Sequence, residues 1–185
     1  TRQGIGTETS SGGMAEQPAG QPAKVVAPDG AADDFFGISV AISGDTAIIG
    51  AYADDVGENI DQGSAYIFVR EGTTWIQQQK LTATDGSAGD RFGISVDLSG
   101  DTTVIGANGD DIGGNSDQGS AYVFVRAGVT WTQQQKLTAT DGMTDDRFGY
   151  GVTISGSTVV VGSNGNDVGG NTDQGSAYIY AKTGM

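Results

Sequence analysis

The sequence has no cysteine and no histidine among its 185 residues. Without these side chains it has no thiol nucleophile, no Ser-His or Cys-His catalytic pair, no haem histidine and no Cys/His zinc site. Any catalysis would have to use carboxylates, hydroxyls, lysines or a hard cation. The commonest enzyme chemistries are therefore excluded, and we expect a protein that is not an enzyme.

Basic residues are also few, since 9 Lys and Arg stand against 23 Asp and Glu, giving a formal net charge of −14. Binding to a nucleic-acid backbone depends on clustered Lys and Arg that release counterions, so nucleic acid is not an expected partner. Long apolar runs are missing as well. No stretch approaches the roughly 20 apolar residues of a membrane span, and we expect none.

What the sequence does contain is an internal repeat. Phe-Gly recurs at Phe36, Phe92 and Phe148, a step of 56 residues, and the segment DQGSAY recurs at the same step. About 40 of the 56 positions are identical between the first two units. This regularity indicates tandem units that fold alike.

Each unit has a hydrophobic period close to two, interrupted by turn residues, which is typical of short antiparallel strands. In the first unit the predicted strands cover 38–43, 46–52, 64–70 and 74–82. Four antiparallel strands repeated at this length indicate a blade of a β-propeller. The third strand, SAYIFVR, is apolar on both faces, as burial between two neighbouring blades requires. The predicted fold is all-β, with a β-solenoid or sandwich as the alternative.

The predicted organisation follows from aligning the units. Residues 1–20 are polar and predict a tail or linker, and 21–185 hold the repeats: 21–35 with an isolated fourth strand at 23–27, 36–91, 92–147, and 148–185 without a fourth strand. Twelve strands make three blades, whereas closed propellers have four to eight. We therefore expect either self-association that completes the propeller or further blades in a partner or a longer polypeptide.

The motif FGISVAISGDTAIIGAYADD…DQGSAYIFVR resembles the FG-GAP repeat, the blade of the integrin α-subunit head and of many surface proteins. The resemblance covers 21–182 and implies a propeller with an adhesive or protein-binding role, no enzymatic activity, and an extracellular or cell-surface location for a processed chain that begins at Thr1. The calcium loop of integrin-type repeats is missing here. Two-residue hairpins such as Gly44-Asp45 stand in its place and cannot surround a cation that takes six to eight oxygens.

A different candidate for calcium is the acidic loop between the second and third strands. Carboxylate and amide oxygens recur there at the same spacing in each unit and, with backbone carbonyls, match the ligands that Ca²⁺ prefers. The alternative is that Asp and Asn form Asx turns. The candidate metal ligands are Asp55, Asn59, Asp61, Asp111, Asn115, Asp117, Asp167, Asn171 and Asp173.

A second candidate binding feature is the pair Trp75 and Trp131, each followed by three glutamines on the fourth strand. Exposed aromatic rings beside amides suit stacking on sugars, whereas a tryptophan between blades would serve packing. The sequence thus predicts an interaction module that binds a protein through its loop surfaces, with a carbohydrate-binding propeller as the alternative. The carboxylates before each Phe-Gly, such as Asp85 and Asp90, recur in every unit and therefore favour turn and capping roles over catalysis.

Calcium in the acidic loops predicts a metal-dependent melting temperature. EDTA should then lower Tm and excess Ca²⁺ should restore it, because each bound ion adds about RT ln(1 + [L]/Kd) to the free energy of unfolding. Differential scanning calorimetry with and without EDTA makes the test. The Asx-turn alternative predicts superimposable curves.

Overall fold

The computed structural model describes residues 22–181, which contain eleven β-strands. In chain order the strands are β1 (Val40–Ser43), β2 (Thr46–Ala51), β3 (Ser64–Glu71), β4 (Thr74–Leu81), β5 (Phe92–Ser99), β6 (Thr102–Ala107), β7 (Ser120–Ala127), β8 (Thr130–Leu137), β9 (Phe148–Ser155), β10 (Thr158–Ser163) and β11 (Ser176–Ala181). In the first unit the predicted bounds lie within two residues of these. No helix occurs within this part of the chain.

The strands form three antiparallel sheets in sequence order. Blade 1 is β1-β2-β3-β4, blade 2 is β5-β6-β7-β8, and blade 3 is β9-β10-β11. Tight hairpins join the first two strands of each blade, and Gly44 (φ 59°), Gly100 (φ 59°) and Gly156 (φ 56°) occupy the left-handed conformation there. The fold is all-β and consists of propeller blades, as the sequence predicts.

Both faces of blade 2 are covered by its neighbours. On one side, Ile48 and Ile67 of blade 1 join Val96, Leu98 and Trp131 of blade 2 in one buried cluster. A second cluster on the other side links blades 2 and 3 and includes Val104, Ala121, Ile154 and Val161. Burial on both faces explains why the third strand is continuously apolar.

Adjacent blades meet through their first and second strands, where the backbones nearly touch. A Cβ atom on Gly50 would collide with the carbonyl of Gly93, and one on Gly106 with the carbonyl of Gly149. Gly93 and Gly149 also have φ near 90°. Only glycine permits this spacing, so the repeat keeps glycine at both sides of the contact.

Within the single chain residues 22–27 form no strand, so the fourth strand expected at 23–27 stays a prediction. A fourth strand pairs with the third strand of its own sheet, as β4 pairs with β3, and no third strand precedes this segment among the described residues. Val25 and Ala27 instead pack against a cluster on blade 1 that contains Tyr66 and Phe68. The described residues therefore hold eleven strands rather than twelve.

The Phe of each Phe-Gly pair provides a test of blade packing. Phe92 is fully buried and meets Tyr122 edge to face, with ring centroids 5.4 Å apart. Phe36 has the same geometry against Tyr66 but is only half-buried because no blade covers it. We expect Phe92→Ala to lower the free energy of unfolding by about 3–5 kcal/mol.

Phe36→Ala is the matched control, since it removes the same ring at an uncovered position. It should lower the free energy of unfolding by clearly less than Phe92→Ala does, as measured by urea denaturation at 25 °C. Equal losses for the two variants would contradict burial between blades as the source of the stability.

Candidate functional site

All the long connections lie at one end of the blades, which we call the loop end. It carries the loops between the second and third strands, residues 52–63, 108–119 and 164–175, and the connections between blades, 82–91 and 138–147. The short hairpins lie at the opposite end, the hairpin end. The loop end therefore collects the sequence-predicted calcium residues.

Within each loop, two of the three predicted calcium residues are held together by a backbone hydrogen bond. The amide of Asp61 donates to Asp55 Oδ1 at 2.9 Å, and the equivalent distances are 2.8 Å for Asp117 to Asp111 and 2.7 Å for Asp173 to Asp167. Asp61, Asp117 and Asp173 have positive φ, between 49° and 53°. The first aspartate thus closes the loop across six residues, and the second adopts the left-handed conformation that Asp tolerates.

The asparagine of each loop has different partners. Asn59 Nδ2 donates to Gln62 Oε1 at 2.8 Å and to the carbonyl of Gly86 at 3.2 Å, and Asn115 makes the same pair of bonds with Gln118 and Gly142. The amide thus ties the loop to the connection that leads into the next blade. Over the described residues, no group of three or more acidic side chains is arranged to hold a metal. Calcium binding stays a prediction.

A cluster that the sequence analysis did not identify lies beneath each loop. Lys80 Nζ lies 2.6 Å from Asp29 Oδ2 and 2.7 Å from the buried Asp54 Oδ2, with the ring centroid of Tyr66 at 5.3 Å. Tyr66 Oη also donates to Asp29 at 2.9 Å. The arrangement joins the chain before blade 1 to the loop and outer strands of that blade. We call it the lysine cluster.

The lysine cluster recurs one unit later with nearly the same distances. Lys136 Nζ lies 2.7 Å from both Asp85 and Asp110, and Tyr122 Oη donates to the same two carboxylates at 3.0 Å. Here Asp85 comes from the connection between blades 1 and 2, whereas the other three residues belong to blade 2. The cluster is thus a link between consecutive units.

The electrostatics of the clusters follow from burial and charge pairing. Burial alone would lower the pKa of Lys80, but its bonds to Asp29 and Asp54 outweigh this and raise the pKa above its usual range. The bond to Lys80 lowers the pKa of Asp29, and burial raises the pKa of Tyr66 to about 12. At neutral pH each cluster therefore holds a charged lysine beside the ionised carboxylate of Asp29 or Asp85 and a neutral tyrosine.

The third copy of the cluster is open. Tyr178 Oη donates to Asp141 Oδ1 at 2.9 Å, and Asn166 stands where the other units have Asp54 and Asp110. Among the described residues no lysine contacts Asp141. A cleft of about 690 Å³ opens here, and its lining includes Asp141, Asp145, Asp146, Arg147, Asn166, Asp167 and Asp173.

Of the two carboxylates before each Phe-Gly, the second has the capping role that the sequence predicts, whereas the first, such as Asp85, lies in the lysine cluster. Asp90 Oδ2 accepts from the amide of Ser87 at 2.7 Å, and Asp146 accepts from Met143 at 2.8 Å. Asp90 is buried, and this burial raises its pKa to about 6. Its neighbours Asp110 and Asp85 act in the same direction.

The two tryptophans have different surroundings. Trp131 is 2% exposed, and its backbone amide and carbonyl bond to Gln79 of blade 1 while its indole Nε1 donates to Gln78. Gln78 is the extra residue at a β-bulge, which directs its side chain to the neighbouring blade. Trp75 is only half-buried, since no blade lies on its side. Sugar stacking stays a prediction, and Trp75 is the more accessible ring.

Three stacked antiparallel sheets with repeated inter-blade links define a propeller-type repeat protein. The family pattern described as FG-GAP repeat matches residues 19–68, 75–124 and 131–180, and the chain belongs to this family. FG-GAP repeats generally mediate protein interactions without enzymatic activity and typically occur in extracellular or surface proteins. Among curated proteins, no sequence matches the chain. Within 22–181 no helix is long and apolar enough to cross a membrane.

The raised pKa of Asp90 predicts an unusual dependence of stability on pH. An acid with a raised folded-state pKa favours the folded state below its unfolded value of 3.8, and this contribution is lost as the pH rises through about 6. Asp90→Asn keeps an acceptor for the amide of Ser87 and removes the buried charge. We therefore expect this variant to be more stable than the parent at pH 7.5, by about 1–3 kcal/mol, and nearly equal to it at pH 4.

Glu58→Gln, at an exposed loop position, is the control and should change little at either pH. Urea titrations at the two pH values supply the measurement. A loss of stability in Asp90→Asn at pH 7.5 would contradict the expected penalty on the charged form.

Proposed function

We propose that this protein is a non-enzymatic interaction module of a secreted or cell-surface protein, and that its loop end binds a basic surface of a partner protein. The observation that carries the proposal is a repeated carboxylate. Asp55, Asp111 and Asp167 are all exposed, and each is fixed in place by its bond from a backbone amide. Three fixed charges on consecutive blades form a row that a matching set of Lys or Arg side chains can meet.

The hairpin end offers less to such a partner. Two of its acidic residues, Asp45 and Asp101, already pair with Arg70 and Arg126 of the same chain. By contrast, no Lys or Arg in 22–181 forms an ion pair with the three loop carboxylates. The net charge of −14 adds a long-range attraction for basic proteins, which salt screens beyond about 10 Å.

Rigid support favours the loop end for a second reason. The loops are tied to the next connection through Asn59 and Asn115, so little ordering is required when a partner binds. Binding surfaces on loops held by a rigid scaffold are a common arrangement in proteins.

Selection from a random peptide display library tests the proposal. The immobilised protein should enrich Lys- and Arg-rich sequences, and the selected peptides should bind at least about 5-fold more weakly to the triple variant Asp55→Asn, Asp111→Asn, Asp167→Asn, since multiple surface charge contacts sum. These substitutions keep the acceptor for the loop amide and remove only charge. The affinity should also fall as salt rises.

The control is a triple variant with the same change in charge at the hairpin end, Asp45→Asn, Glu71→Gln and Asp101→Asn. Peptides that bind through the loop end should keep their affinity for it within about 2-fold. Peptides that bind both triple variants equally well would show that overall charge, not the loop end, recruits them, and would contradict the proposal.

A further inference from the structure

The row of three blades exposes two apolar faces that are buried wherever the repeat has a neighbour. Val40 and Ile42 on blade 1 are 66% and 63% exposed, whereas their equivalents Val96 and Leu98 on blade 2 are each 5% exposed. At the other end, Ile179 of blade 3 is 74% exposed, whereas its equivalent in blade 1, Ile67, is fully buried. We call the face that carries Val40 and Ile42, and their equivalents in the other blades, the front of a blade. The opposite face, which carries Ile67 and Ile179, is the back.

The glycine contacts show the same division. Gly50 on the back of blade 1 meets Gly93 on the front of blade 2, and Gly106 meets Gly149 in the same way. Gly37 on the front of blade 1 has open space around its Cβ position, and Gly162 on the back of blade 3 has contacts only within its own sheet. Each half of a further blade contact is therefore present, but the two halves lie at opposite ends of the row.

The backbone hydrogen bonds between blades also have a donor on the front of one blade and an acceptor on the back of the preceding one. The amides of Phe92 and Phe148 donate to the carbonyls of Gln62 and Gln118 of the preceding blade, at 2.8 and 2.9 Å. By the repeat, the corresponding donor is the amide of Phe36 and the corresponding acceptor is the carbonyl of Gln174. These two groups again lie on the front of blade 1 and the back of blade 3.

The open lysine cluster identifies what completes blade 3. Lys24 precedes Lys80 by 56 residues, as Lys80 precedes Lys136, so it is the lysine of a fourth strand. In the two complete blades that lysine pairs directly opposite a tyrosine, Tyr66 with Lys80 and Tyr122 with Lys136. The same register places Lys24 opposite Tyr178 of β11, which is the free edge of its sheet.

Lys24 cannot reach Tyr178 of its own chain in this arrangement. The segment that carries it packs through Val25 and Ala27 on the front of blade 1, at the end of the row away from blade 3. A second molecule placed with its front against the back of blade 3 brings the segment to the required edge. One placement satisfies the apolar faces, the glycine contact, the backbone groups and the cluster together.

We propose that a second copy of this chain docks head to tail on blade 3 and donates its residues 23–27 as the missing fourth strand. Lys24 of the second copy lies beside Asp141 and Asn166, over the ring of Tyr178. The contact is heterologous, so successive copies either close into a ring or extend as a chain. Its residues do not include Asp55, Asp111 or Asp167, and it is therefore independent of the proposed function.

Disulfide capture tests the register directly, because the protein has no cysteine of its own. Ala65 pairs opposite Leu81 and Ala121 opposite Leu137, so Ala177 should lie opposite Val25 of the second copy. Directly opposed residues on antiparallel strands have Cβ atoms about 4.5–5.5 Å apart, within reach of a disulfide after small adjustment. The single variants Val25→Cys and Ala177→Cys are purified separately, mixed and oxidised.

The expected result is a disulfide-linked heterodimer on a non-reducing gel, formed at least about 5-fold faster than with Val26→Cys, whose side chain points to the opposite face of the strand. The proposal would be overturned if light scattering showed nothing but a monomer of 18.8 kDa and cross-linking did not exceed that of free thiols. Equal rates for Val25→Cys and Val26→Cys, or a double variant that forms its disulfide within one chain, would also overturn it.

Charge reversal supplies the second measurement. Lys24→Glu and Asp141→Lys should each shift the parent's assembly toward monomer in light scattering, and the double variant should restore it, because both changes meet at one interface. Arg91→Glu, an exposed position with the same change in charge, is the control and should assemble like the parent. Failure of the double variant to restore assembly, with melting curves showing folded protein, would overturn the pairing of these two residues.

Discussion

The spacing between blades depends on a contact in which backbone meets backbone. The carbonyl of Gly93 occupies the place of a Cβ atom on Gly50, and Gly149 does the same to Gly106. Because no side chain separates the inner strands there, the apolar residues around them come close enough to form continuous clusters. This contact recurs along the chain and requires glycine, which accounts for part of the high glycine content of 32 residues.

Once that distance is set, each blade depends on the next for its stability. The outer strands are joined by side-chain amides, as where Gln79 bonds to the backbone of Trp131, and the first strands by serine hydroxyls, as where Ser39 accepts from the amide of Val96 at 3.0 Å. The lysine clusters add charged links between units. A repeat protein built in this way gains stability mainly from its interfaces, so the end blades are its weakest part.

Small departures from the repeat are concentrated in blade 3. Asn166 replaces the aspartate of the first two clusters, and Gly151 stands where Ser39 and Ser95 accept bonds from the next blade. Both changes lie on parts of blade 3 that no other described blade covers. The loss of one carboxylate also lowers the negative charge around Asp141, where the described chain supplies no lysine.

The sequence by itself determined the all-β fold, the strand order within each blade and the bounds of the strands, because alternating hydrophobicity, hairpin glycines and the 56-residue step are local or periodic signals. It also indicated the capping role of Asp90. Only the tertiary structure decided which residues meet across units. Lys80 and Asp29 are 51 positions apart and become neighbours because β4 pairs with β3 while the connection before blade 1 crosses the same end. Likewise, Trp75 and Trp131 are equivalent in sequence, but one is half-buried and the other covered, since burial depends on whether a neighbouring blade is present.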